Sequence, residues 1–178
     1  MTIEDEVLLL ELLNSAPLVD GAPVDELSDA RGAEFARRWG GSGTAAEIIR
    51  LRRTRDALHA LVRGGEDAGD DATTTISDVL REAVRVPTVS ASGIGWDLRV
   101  PDDDRLAVRA AEAWSAVNEQ LPGRLRACAN DECNLFLLDH SRPGTARWCS
   151  MSACGNRMKA RAHASRARMS SPTRGPIG

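Results

Sequence analysis

The stretch CANDECNLFLLDHSRPGTARWCSMSACGNRMKAR, Cys128 to Arg161, holds every cysteine of the 178-residue chain. They fall at 128, 133, 149 and 154, so the spacing is C-x4-C, fifteen intervening residues, and C-x4-C again. Working outward, the N-terminus MTIEDEVLLLELLNSAPLV has acidic flanks and no basic segment ahead of its leucines. No run reaches the ~18 apolar residues of a membrane span, so neither a signal peptide nor a membrane partner is read. The chain is therefore expected to be cytoplasmic. Thiols stay reduced there, and clustered cysteines point to a metal before they point to disulfides.

Each cysteine pair lies within the spacing used by structural zinc sites, which predicts one Zn2+ held by Cys128, Cys133, Cys149 and Cys154. An iron–sulfur cluster takes the same four thiolates and is the alternative. His140 lies between the pairs, but four cysteines already complete a tetrahedron. The metal is thus expected to be structural and not catalytic. Within the intervening residues, LFLLDHS and ARWCS read as two strands of a hairpin, and RPGT puts Pro143 and Gly144 at the centre of a type II turn. After Cys154 the pattern turns helical. Knuckle, hairpin and helix make a treble-clef-like module over 124–169, and so small a module needs a metal to make up for its lack of core.

The chain's net charge of −3 conceals an asymmetry. Residues 121–178 hold ten Lys/Arg against three Asp/Glu, whereas residues 1–120 hold 13 against 23. A basic segment joined to an acidic one points to a polyanion partner. Projected at about 100° per residue, Cys154, Met158, Ala162, Ser165 and Met169 form one stripe expected to face the metal and the hairpin. Arg157, Arg161 and Arg168 border that stripe, and Lys159, His163 and Arg166 lie toward the far side. With Arg147, the residues Arg157, Lys159, Arg161, Arg166 and Arg168 are the candidate nucleic-acid contacts. The competing role for Arg147 and Arg157 is to neutralise the surplus negative charge of four thiolates around one Zn2+.

Residues 1–120 read as a mostly helical domain with one small β-hairpin, so the fold class is α+β, mainly helical. Ile3, Val7, Leu10 and Leu13 recur at helical spacing, and NSAPLVDGAP then breaks the pattern. Further helices are expected around 28–39, over 44–63 with a Thr44/Glu47 capping box, over 76–84, and over 102–119. GGEDAGDDATTT reads as a solvated acidic loop. VPTVSASGIGWDLRV reads as a hairpin with Gly93 and Gly95 near its turn. LPGR marks the boundary before the cysteine module, and residues 170–178 are expected to be a disordered tail.

The cysteine stretch resembles the CGNR zinc-finger family, named for the tetrapeptide found here as Cys154, Gly155, Asn156 and Arg157. The likeness extends to Phe136, Asp139, Ser141, Arg142, the RWCSM run and Lys159. It implies zinc on the four cysteines and a DNA-binding role in a bacterial transcription regulator. The resemblance also implies an N-terminal helical ABATE domain linked to stress response or ligand sensing, and LLLELLNSAPLVDGAPVDEL is similar to its opening. One departure is RPGTAR, where the family's turn is richer in arginine.

The function expected is thus a zinc-binding, DNA-binding bacterial transcription regulator, with a small-molecule effector at the N-terminal domain and a homodimer as further expectations. The alternative is a protein- or RNA-binding adaptor with a structural zinc finger. Trp148 is the module's one candidate stacking platform, which weighs against single-stranded RNA. No enzyme is read: no cysteine is left as a nucleophile, and His59, His140 and His163 are scattered. The GSG at 41–43 lacks the rest of a phosphate loop.

Overall fold

Thr2 opens the first helix by accepting from Asp5 N–H while the Asp5 carboxylate accepts from Thr2 N–H, a capping box that satisfies two orphan donors. The computed structural model describes residues 2–169, with the backbone alone at 66 and 167–169. The expected tail at 170–178 lies outside the described residues. Helix α1 is Ile3–Leu13, followed by a short hairpin, β1 (Leu18–Val19) and β2 (Ala22–Pro23). Next come α2 (Asp29–Arg38), α3 (Ala45–Gly64), a 3-10 turn at Gly65–Asp67 and α4 (Asp70–Leu80). Strands β3 (Val84–Ser90) and β4 (Gly93–Arg99) precede a 3-10 turn at Asp102–Asp104 and α5 (Arg105–Gln120). The chain continues with β5 (Leu125–Ala127), β6 (Phe136–Leu138), a π-turn at Met151–Gly155 and α6 (Asn156–Met169). The architecture is mixed α+β, with three antiparallel two-stranded sheets among the described residues. No described helix is long and apolar enough to cross a membrane.

Helix α1 lies in the middle of the buried core. Leu8 and Leu12 pack with Leu27, Ala36, Leu51, Leu106 and Ala110, while Leu9 and Leu13 pack with Leu58, Leu61, Ile76, Val117, Leu125 and Phe136. Of the spacing picked out in the sequence, Leu13 is buried and Leu10 packs against the same cluster, but Ile3 is 81% exposed and Val7 43% exposed, so the first two positions turn away from the core. The second cluster runs from the helices straight into β5 and β6. Polar clamps reinforce that packing. Asn14 accepts from Phe136 N–H at 2.7 Å and donates to Phe136 C=O, filling both positions of a missing strand partner. Asn134 does the same for the loop after α1, accepting from Leu18 N–H and donating to Ala16 C=O.

Four local expectations change. The acidic segment is not all loop: α4 begins at Asp70, with Asp70 and Asp71 in its first turn, where carboxylates favour the helix dipole. That helix stops at Leu80 and not at 84, because Val84, Val86 and Val89 are taken into β3 opposite Arg99, Asp97 and Ile94. The Thr44/Glu47 box forms only by half. Thr44 Oγ1 accepts from Glu47 N–H, but the buried Glu47 carboxylate turns to Gly43 N–H at 2.7 Å. The Pro- and Gly-containing break after α1 holds β1 and β2, joined through Asp20 and Gly21 at positive φ.

Candidate metal centre and basic helix

Strands β5 and β6 flank the knuckle and pair with each other, Leu125 opposite Leu138 and Ala127 opposite Phe136. The 128–135 segment is therefore the loop of their hairpin. Cys128 N–H closes it by donating to Leu135 C=O, and Cys133 N–H donates to Asn130 C=O, so both thiols turn to one side. This corrects the expected hairpin of 135–141 with 146–150. Its second segment forms no strand; it is joined to the knuckle by a hydrogen bond from Ala129 N–H to Arg147 C=O. The turn differs as well. Gly144 N–H donates to Ser141 C=O, so the turn closes over Ser141–Gly144, one residue earlier than read.

Asp139 explains why no ladder is needed there. Its carboxylate is almost fully buried and accepts from Ser141 N–H at 2.9 Å, Ala146 N–H at 2.9 Å and Arg126 at 2.7 Å. Hydrogen bonds from Ser141 act first, then that from Ala146 N–H and the Arg124 charge, and they hold the carboxyl down at about 2 although burial opposes them. One carboxylate thus replaces a row of strand hydrogen bonds, and it places Cys149 over the knuckle. Arg124 and Arg126 also donate to the carbonyls of Ser141 and Gly144. At Gly144, φ is +66°, and a side chain would collide with the Arg124 guanidinium.

The four sulfurs lie within 4.8 Å of one another, and Cys149 Sγ stands 3.7 Å from both Cys133 Sγ and Cys154 Sγ. A tetrahedron with zinc–sulfur bonds of about 2.3 Å has sulfur–sulfur edges of about 3.8 Å, so the arrangement fits a four-thiolate zinc. The acid–base chemistry agrees. Burial pushes the Cys149 and Cys133 thiols up; at Cys154 burial acts the same way, but hydrogen bonds from Asn130 and from the other three cysteines together outweigh it and bring that thiol down. Thiolates this close repel one another, and a dication lets all four ionise together. Asn130 is 1% exposed and donates to Cys154 Sγ at 3.3 Å, and Cys149 N–H donates to Cys128 Sγ at 3.5 Å. The Asn130 contact was missed in the sequence, where only its place inside the knuckle hinted at it.

Cys154 sits in the π-turn that leads into α6, so the last ligand fixes the start of that helix. Gly155 is buried there, and a Cβ in its place would lie 2.8 Å from Met151 Sδ and 3.1 Å from Trp148 Cδ1. Beyond its first turn α6 leaves the body. Met158 is half-buried, but Ala162 and Ser165 are exposed, so among the described side chains the stripe expected to face the metal does so at Cys154 and Met158 alone; the Met169 side chain lies outside what is described. The basic residues follow suit. Arg157, Lys159 and Arg161 are exposed; Arg161 pairs with Glu132 at 2.5 Å; and Arg147 lies over the Trp148 ring at 5.2 Å. Arg166 is exposed and makes an interaction of its own, while the Arg168 side chain lies outside what is described.

The CGNR zinc finger family matches residues 124–167, about a quarter of the chain, and the four cysteines all fall inside that match. No curated protein matches the chain. The match and the geometry together define a structural zinc site in a CGNR zinc finger.

Proposed function

We propose that this protein is a DNA-binding transcription regulator of bacterial type, in which the zinc module holds α6 against duplex DNA. The observation that carries the reading is a basic helix that stands clear of the body beyond a metal-anchored first turn. A B-form major groove admits an α-helix, and Arg and Lys supply both phosphate contacts and guanine readout. Arg157, Lys159, Arg161, Arg166 and Arg168 are the contacts proposed on α6, with Arg147 beside the zinc as the sixth. The acidic helical part, 1–120, takes the ABATE-like sensing role. A groove of about 420 Å3 between α1 and β6, lined by Val7, Leu10, Leu138 and His140 among others, is a place where a small apolar effector would touch both parts. No catalytic step belongs to this reading, and its setting is the cytoplasm.

Fluorescence anisotropy with duplex DNA across a salt series tests it. If about four phosphates are neutralised, the log–log salt slope is near −3.6 from counterion release. Lys159→Ala lowers that slope by about one unit and weakens all sequences alike. Arg161 has to leave Glu132 to reach a phosphate, so its replacement by Ala has the smaller effect. Failure to bind duplex at low salt turns the reading toward a protein-binding adaptor.

A further inference from the structure

The β3–β4 hairpin is the most exposed apolar feature of the described chain. Val89 is 85% exposed, Ile94 70% and Trp96 59%. The register decides what this feature is for. Ser90 pairs with Gly93 across a two-residue turn, so this pair exchanges both of its N–H···O bonds. Alternation then leaves the N–H and C=O groups of 85, 87 and 89 on β3, and of 94, 96 and 98 on β4, pointing outward from the ribbon. The same residues share one face: Arg85, Pro87 and Val89 beside Leu98, Trp96 and Ile94.

The two edges are not equivalent. On β3 the outward row is interrupted at Pro87, which has no N–H to give, a common protection of an edge strand. On β4 the row is Ile94, Trp96 and Leu98, with neither proline nor charge. Among the described residues no hydrogen bond from outside the hairpin reaches those three N–H groups. Arg85 anchors the base of the ribbon to α5 through Glu112, at 2.7 Å, and the ribbon extends outward from there. A lone two-stranded ribbon is marginal in water and gains from further strands.

We propose that β4 pairs antiparallel with β4 of a second copy of this chain, making a four-stranded sheet about a two-fold axis at Trp96. In that register Trp96 faces its own counterpart and Ile94 faces Leu98 of the second copy, forming roughly six backbone hydrogen bonds. The occupant is a second copy because the edge complements itself: each outward N–H meets an outward C=O from the same three residues, and the apolar faces become continuous. Only Ile94, Trp96 and Leu98 of each copy come side by side along the shared edge, so the area buried lies below the roughly 1,000 Å2 of a standard specific interface. The association is correspondingly modest, on the order of micromolar. It stands independently of the DNA reading, although a two-fold pair of α6 helices would suit inverted half-sites.

Sedimentation velocity on the zinc-loaded full chain without DNA, over concentrations on the order of 1–200 µM, is the test. The expected result is a monomer–dimer equilibrium that Ile94→Lys weakens by about tenfold or more. Val84→Lys, on the opposite face at a position 56% exposed, leaves it unchanged. Hydrogen exchange on the unaltered protein gives a second readout: the amides of Ile94, Trp96 and Leu98 gain protection as concentration rises. A monomer throughout, a dimer that Ile94→Lys leaves intact, or a dimer whose three amides exchange at the monomer rate would each overturn the proposal.

Discussion

Asn130 does three jobs within a few ångströms. Its side-chain amide donates to Cys154 Sγ, its own carbonyl accepts from Cys133 N–H, and its Oδ1 accepts from Glu132 N–H. The first of these spreads thiolate charge and orients the ligand that begins α6, as outer-shell partners of metal ligands do. Asn130→Ala is therefore expected to weaken zinc binding by about 10–100-fold while leaving the fold intact. Competition with a chelator of known affinity measures it, and an unchanged affinity would mean the amide only fills space. Asp139 acts at one remove. It touches no sulfur, yet the segment leading to Cys149 hangs on its two oxygens. Neither role follows from residue type. A knuckle Asn and a post-strand Asp are ordinary in sequence, and what distinguishes them is burial beside a charge.

At the scale of elements, β6 joins the zinc module to the helices. Phe136 is 1% exposed, with the His59 ring 4.6 Å away and the Arg63 guanidinium 4.8 Å from its centroid. Phe136→Ala is expected to cost about 3–5 kcal/mol, read as a lower urea midpoint. His59 donates from Nε2 to Leu13 C=O at 2.7 Å, and burial pushes its pKa below the ordinary 6.5, with the charges of Arg55 and Arg63 acting in the same direction. The folded chain thus prefers the neutral ring. Its contribution is complete above about pH 6.5 and declines as pH falls through the folded pKa. His59→Gln keeps a donor without titrating, so it should lose less stability than the parent between about pH 7 and pH 5. Equal losses in the two proteins would remove His59 from the account.

These elements also mark what sequence reading could reach. The zinc ligands were legible because four thiols at short, paired spacing have few other uses, and α3, α5 and the Gly93 hairpin were legible from period and turn chemistry. The partner of β6 was not. Local pattern favours the next strand-like run, 146–150, and only the closure of the knuckle reveals that 125–127 lies alongside. The inward stripe of α6 failed for a related reason, since helical period assigns a face to a helix whether or not anything lies against it.

For the whole molecule, the charge asymmetry takes on a different meaning once partners are known. Arg124 and Arg126 fasten the Asp139 loop, and Arg161 meets Glu132, so the basic surface is smaller than the count of ten and is concentrated on α6. Helices and module share a buried cluster in which Leu125 and Phe136 meet Leu9, Leu13, Leu58 and Leu61. Zinc is thus expected to support more than its own loop, because loss of the module's shape uncovers that cluster. The central proposal is narrower: the metal fixes Cys154, and through it aims α6, the helix proposed to meet DNA. Duplex-DNA anisotropy with zinc-loaded and zinc-stripped protein, side by side at low salt, tests it most directly. The account predicts that stripping abolishes the steep salt-dependent binding and that restoring one equivalent of Zn2+, but not Mg2+, recovers it. Binding of the stripped protein with the same affinity and the same salt slope would contradict it.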